Sequence, residues 1–164
     1  MTPARVIGIG SPFGADRVGW EAVDALARAG GLPPDLVVFA RCARPDGELL
    51  AALARPGLLL LIDAMRSGAP PGTVRRVRPE EIMRDGPLIS THGFGINSAL
   101  SLAAALGGLA AGVRICGIEI PPESAAGGTD AGNGSASAGG WSSGESAREI
   151  RKILMESLRE FGYL

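Results

Sequence analysis

RVIGIGSPFGADRVGWEAVDALARAGG, residues 5–31, decides the fold. Its first six residues are β-branched and nearly all apolar, which suits a strand covered on both faces better than a half-solvated, alternating one. After a glycine-rich turn, Val18, Ala22, Val23, Leu26 and Ala27 recur at helical spacing. Gly30 and Gly31, then Pro33 and Pro34, stop that pattern. Strand, turn and helix make one βα unit.

The alternation continues outward from this unit. Residues 36–40 (LVVFA) read as a second strand, and a short helix opens at Pro45 and Asp46 and runs through GELLAALAR to Pro56 and Gly57. Residues 58–63 (LLLLID) are a third, fully buried strand that ends in Asp63. TVRRVR, 73–78, alternates apolar and basic residues as an edge strand does, and EEIMR after it is a helical turn. Residues 96–106 form a small-residue helix and 113–120 (VRICGIEI) a further strand. A last helix, 145–161, carries Ile150, Ile153, Leu154, Leu158 and Phe161 on one stripe. The expected fold is α/β, a three-layer sandwich with a mostly parallel twisted sheet of about five strands and helices on both faces. One domain spans residues 1–164, and the Gly/Ser/Ala-rich stretch 123–143 is expected to form a flexible loop within it.

Composition narrows the function. Among 164 residues, 16 basic side chains face 17 acidic ones with no basic block, so no electrostatic footprint of a nucleic-acid binder exists. Cys42 and Cys116 are far apart with no CxxC, and MTPARV lacks the pattern of an export signal; reduced thiols in a cytoplasm are expected, with both cysteines in the core. The longest apolar run is broken by Asp63 and is far shorter than the roughly 20 residues a bilayer requires. A soluble monomer without a membrane partner is the expectation.

In doubly wound folds, ligands collect outside the carboxyl ends of the strands. Asp16 follows the first strand, Asp63 ends the third, and His92, the one histidine of the chain, lies in LISTHGFG before a helix start. An ionised carboxylate closing LLLLI must be paired, coordinated or held at a solvated rim. Taken singly, each residue has a structural role open to it: a turn former for Asp16, a cap for Asp63, a packed or capping side chain for His92. Together they are a ligand set suited to a borderline divalent metal such as nickel or zinc, with positions left for water or substrate.

A dinucleotide cradle fits the glycine-rich turn poorly. GIGSPFG supplies Gly8 and Gly10, but Phe13 occupies the third glycine position and Gly14 comes one residue late. Pro12 removes a donor, and the second strand ends FARCARP with no acid for a ribose. No G-x-S-x-G and no HExxH is present. A metal-polarised carbonyl or activated water remains, with Asp16 or Asp63 as base.

The segments GIGSPFGADRVGW, LLLLIDAMRSGAPPG and STHGFGINSALSLAAAL, with GIEI as a weaker fourth, together resemble the hydrogenase maturation endopeptidases, which finish the large subunit of [NiFe] hydrogenases. These segments run through most of residues 4–120. The family's first block is similar to G-x-G-N-x-x-x-x-D-D-G-x-G. Here Ser11 replaces the Asn and the block is one residue shorter, so that a gap before Gly14 sets Ala15 at the first acid, Asp16 at the second and Arg17 at the glycine. RCARPDGEL lacks the Asp-Gly-Gly segment that some members carry after the second strand.

The resemblance implies that Asp16, Asp63 and His92 contact metal, with Asp16 and Asp63 also catalytic. It implies no permanently bound cofactor: the nickel is that of the substrate, for which zinc or cadmium could substitute in vitro. The implied partner is a [NiFe] hydrogenase large-subunit precursor, from which a C-terminal extension is removed. A non-catalytic nickel-precursor-binding maturation factor is the alternative, suggested by Ala15 and Arg17, and a Rossmann-type nucleotide-binding enzyme comes third.

Overall fold

The structure, a computed structural model, describes residues 2–12, 14–43, 47–85, 96–122 and 144–164. The chain runs β1 (Ala4–Ile9), a 3-10 turn (Gly14–Arg17), α1 (Val18–Ala29), β2 (Val37–Cys42), α2 (Gly47–Ala54), β3 (Leu59–Met65), β4 (Val74–Val77), α3 (Pro79–Asp85), α4 (Ile96–Ala105), β5 (Val113–Glu119) and α5 (Glu145–Glu160). Five strands form one sheet in the order β2-β1-β3-β5-β4. All pairings are parallel except that of β4 with β5. The expected sheet of about five mostly parallel strands is thus present, with TVRRVR on its edge.

Alternate strand residues point to opposite faces, and the two faces hold two cores. One core packs Val6, Leu60, Ile62 and Ile118 of the sheet against Val23 and Leu26 of α1 and Ile150 and Leu154 of α5. The other packs Ile9, Leu59, Leu61 and Ile115 against Leu49 and Leu53 of α2, Ile82 of α3 and Leu100 of α4. Every residue of β3 is buried, as a central strand covered on both faces requires. Of the residues expected on the α5 stripe, Phe161 lies just past the helix and is only partly buried, and Ala27 of α1 faces solvent.

Of the two cysteines expected in the core, Cys116 is wholly buried whereas Cys42, at the end of an edge strand, is half-buried. Burial pushes the Cys116 thiol up to about 12, because a thiolate cannot be solvated there. Native protein should therefore leave Cys116 unlabelled by a thiol-specific reagent at pH 8, with modification appearing only on unfolding. Labelling of Cys116 at the rate of a free thiol in the folded protein would contradict this packing.

Beyond Met65 the chain crosses to β4 through residues 66–73, and Ser146 at the start of α5 donates from Oγ to the Gly72 carbonyl at 2.7 Å. At the other end of β1, the Arg5 guanidinium donates to the carbonyls of Ala52 and Arg55, both at 2.9 Å. This cation satisfies the exposed carbonyls at the end of α2, where a positive charge also suits the helix dipole. The expected loop 123–143 lies outside the described residues.

Candidate active site

The glycines of the first block serve close backbone approach. A Cβ on Gly8 would stand 2.2 Å from the Gly19 carbonyl oxygen, and one on Gly19 would stand 2.0 Å from the oxygen of Ile9 and 2.8 Å from that of Ile62. Helix α1 therefore rests directly on β1 and β3, backbone against backbone. A Cβ on Gly10 would lie 2.1 Å from the Asp16 carbonyl oxygen, so the turn folds back onto the strand it leaves. Gly14 opens the 3-10 turn at φ +65, a conformation that suits glycine. No side chain fits at Gly10, because the backbone of Asp16 occupies that space.

The end of β2 braces this turn. The Cys42 carbonyl accepts the Gly10 amide at 3.1 Å and the Trp20 indole N–H at 3.2 Å. Arg41 lies over the Trp20 ring at 5.4 Å and pairs with Asp24. Arg17, which stands where the family pattern has glycine, pairs with Glu21 one helical turn on, at 3.5 Å. Asp16 is thereby carried, half-buried, at the carboxyl end of the sheet.

Asp63 does not end its strand as expected: β3 continues through Ala64 to Met65, and Asp63 sits within it, 1 % exposed. The continuation is due to β5, which pairs with β3 as far as Met65 opposite Glu119. Asp63 is opposite Gly117, and a Cβ there would lie 2.3 Å from the Met65 sulfur. The missing side chain at 117 makes room for the Met65 thioether, which adds apolar surroundings on the same face as Asp63. Asp63 Oδ1 accepts the Ala64 amide at 2.7 Å.

Desolvation by burial holds the Asp63 carboxyl well above the usual carboxylate range, the negative charge of Asp16 adds to this, and the Ala64 amide opposes it. The structure thus brings Asp16 and Asp63 within electrostatic reach of each other. Two acids of like charge, one of them desolvated, are an arrangement that an incoming cation relieves. His92 lies outside the described residues. Among the described residues no group of three or more His, Cys, Asp or Glu side chains is placed to hold a metal ion.

Sequence reasoning missed Glu119. It is 2 % exposed at the end of β5 and its carboxylate accepts hydrogen bonds from Ser67 and Gly68. The signal was present in GIEI, where an acid between two isoleucines needs partners just as the acid of LLLLID does. A cavity of about 460 Å³ bordered by Arg76, Val77, Arg114 and Ile153 reaches neither Asp16 nor Asp63. Two of its arginines are engaged with Glu156 and Glu160 of α5.

Mostly parallel strands with helices on both faces, carrying a buried acid and a half-buried one toward their carboxyl ends, place the chain among the α/β sandwich proteins. The chain belongs to the hydrogenase maturation protease family, whose sequence model matches residues 22–128, a span that includes Asp63 and His92 and begins after Asp16. It is 30% identical over 122 residues to the hydrogenase expression/formation protein HupD of Thiocapsa roseopersicina, covering 70% of this chain and 52% of that protein. The match thus spans about half the length of that curated relative. The fold is similar to that of the hydrogenase maturating endopeptidase HybD from E. coli (TM-score 0.67, 22% identity, 96% of this chain and 93% of the other). It is also similar to the [NiFe] hydrogenase maturation protease HycI from Thermococcus kodakarensis (TM-score 0.61, 21% identity, with the same coverages). No described helix is long and apolar enough to cross a membrane.

Proposed function

We propose that this protein is an endopeptidase that removes a C-terminal extension from a nickel-loaded [NiFe] hydrogenase large-subunit precursor, acting in the cytoplasm as a monomer. The observation that carries this reading is the match to the maturation protease family, in a chain that holds Asp63 buried within β3 and Asp16 half-buried after β1. Asp16, Asp63 and His92 contact the nickel as the metal of the substrate, and the protein keeps none of its own. Zinc or cadmium substitutes for nickel in vitro.

In this reading the metal polarises the scissile carbonyl or its attacking water. A carboxylate takes the proton of that water as it adds to the carbonyl carbon, and returns it to the departing amine as the peptide bond breaks. Asp16 or Asp63, the two acids at the carboxyl end of the sheet, takes this proton. Asp16, partly open to solvent, faces the incoming metal.

The test is the intact mass of a co-expressed large subunit, with and without this protein and with and without nickel. Loss of a C-terminal peptide only in the presence of both is expected. An unchanged mass with tight binding would establish the non-catalytic precursor binder, the reading that Ala15 and Arg17 suggest. An unchanged mass without binding would overturn both.

A further inference from the structure

Glu119 is a buried acid that the proposed cleavage does not use. Its carboxylate accepts the Ser67 amide at 2.9 Å on one oxygen and 3.0 Å on the other, the Ser67 hydroxyl at 2.8 Å and the Gly68 amide at 2.9 Å. Both oxygens are occupied by protein donors, so this acid is engaged as an anchor. Its main chain acts on the same connection: the Glu119 carbonyl accepts the Gly72 amide and the Glu119 amide donates to the Thr73 carbonyl, both at 2.8 Å. One residue thus fastens both ends of the crossing from β3 to β4.

The segment so fastened begins just past Asp63. Met65, two residues on from Asp63, is opposite Glu119 in the sheet, and its carbonyl accepts the Ile120 amide at 3.0 Å. Arg66, Ser67 and Gly68 are exposed at the carboxyl end of the strands, where the two site acids also lie. Gly68 takes φ +85, a conformation that suits glycine and turns the chain just after the two bonded amides. Pro70 and Pro71 stiffen the rest of the connection.

A neutral side chain could fill this space, but it could not do the same work. Among the described residues, each group bonded to the carboxylate donates to it, and a carboxylate offers acceptors only. A glutamine could donate its NH2 to the Ser67 hydroxyl, but its bonds to the Ser67 and Gly68 amides would be neutral where those to the carboxylate are charge-assisted and stronger. Burying a charge beside a site that already has one desolvated acid is costly unless fully bonded, and Glu119 is fully bonded.

We propose that Glu119 is a positioning residue for the peptide substrate: it holds the exposed residues 66–68 as a fixed surface against which the extended precursor tail lies beside Asp63. The proposal rests on the peptidase reading above. It predicts that Glu119→Gln, with its shape kept and its charge lost, raises KM for the nickel-loaded precursor about 10-fold or more while kcat changes less than about 3-fold. Ser67→Ala, which removes one donor of several, raises KM less. Kd for the precursor, measured separately from cleavage, should weaken in parallel with KM. The backbone amides of Ser67 and Gly68 should exchange faster in Glu119→Gln, with the core strands unchanged. Unaltered KM and Kd in a folded Glu119→Gln protein, or a loss confined to kcat, overturns the proposal. If wild type binds the precursor without trimming it, the peptidase reading fails and Kd alone decides for or against the role of Glu119. If wild type neither binds nor trims, both fail.

Discussion

Asp63→Asn is expected to end trimming of the large-subunit precursor while making the metal-free protein more stable. The two effects have one origin. Asp63 is buried within β3, and its carboxyl is held well above the usual range by desolvation, with Asp16 adding repulsion. Such a group suits proton transfer, a contribution worth about 10²–10⁴ in rate. Removal of the ionisable group should therefore slow trimming at least about 100-fold.

Stability moves the other way, and its dependence on pH is set by the direction of the shift. A carboxyl whose pKa is higher in the folded chain binds its proton more tightly there than in the unfolded chain. The stabilising contribution of the neutral acid is fully present below the unfolded value, near 3.8, and is lost as pH rises from there through the folded value. The amide introduced by Asp63→Asn has no such loss, and its oxygen can still accept the Ala64 N–H. The gain in Tm from Asp63→Asn should then be close to zero in acid, grow with pH above the unfolded value and level off at the folded one. For a chain of this size, each kcal/mol corresponds to about 2–4 °C. Thermal unfolding of both proteins across a pH series checks the sign. Equal or lower stability of the variant at alkaline pH would contradict the burial cost, and trimming at the wild-type rate would remove Asp63 from the chemistry.

Gly19→Ala should be the most damaging single methyl in α1. In an open helical position alanine is favoured over glycine by about 1 kcal/mol. At Gly19 the added carbon would meet two backbone oxygens, at 2.0 and 2.8 Å, and neither can turn aside as a side chain end could. The clash outweighs the propensity: helix α1 must lift from the sheet or the strands must part. A loss of about 3 kcal/mol or more is expected. Gly47→Ala, in α2 with nothing within 4 Å of the new carbon, serves as the control and should be neutral or slightly stabilising. Because the 3-10 turn that carries Asp16 leads directly into α1, trimming by Gly19→Ala should fall further than its folded fraction does. Equal stability of the two variants would refute the backbone contact.

The order of elements was legible because each was written in a short local pattern. RVIGIG and LLLLI are too apolar for anything but covered strands, TVRRVR alternates as an edge does, and the stripe of the last helix matches the side buried on the sheet. Asp63 stood out for a related reason: an acid set against a run of leucines conflicts with its surroundings unless it is paired, coordinated or held at a solvated rim. The same conflict in GIEI was visible, but without the neighbouring strand nothing distinguished an acid available for chemistry from one saturated by the Ser67 and Gly68 donors.

The chain by itself thus determined the α/β layering and the presence of an acid after the first strand and another closing the leucine run of the third, since periodicity and local polarity are properties of neighbours in sequence. Only the tertiary structure decided that β3 runs on past Asp63, because pairing with β5 extends it to Met65. It also decided that Gly8, Gly10 and Gly19 are glycines for backbone contact, and that Asp16 comes near enough to Asp63 for its charge to be felt there. These depend on distances between residues far apart in the chain, and a distance of that kind is set by packing.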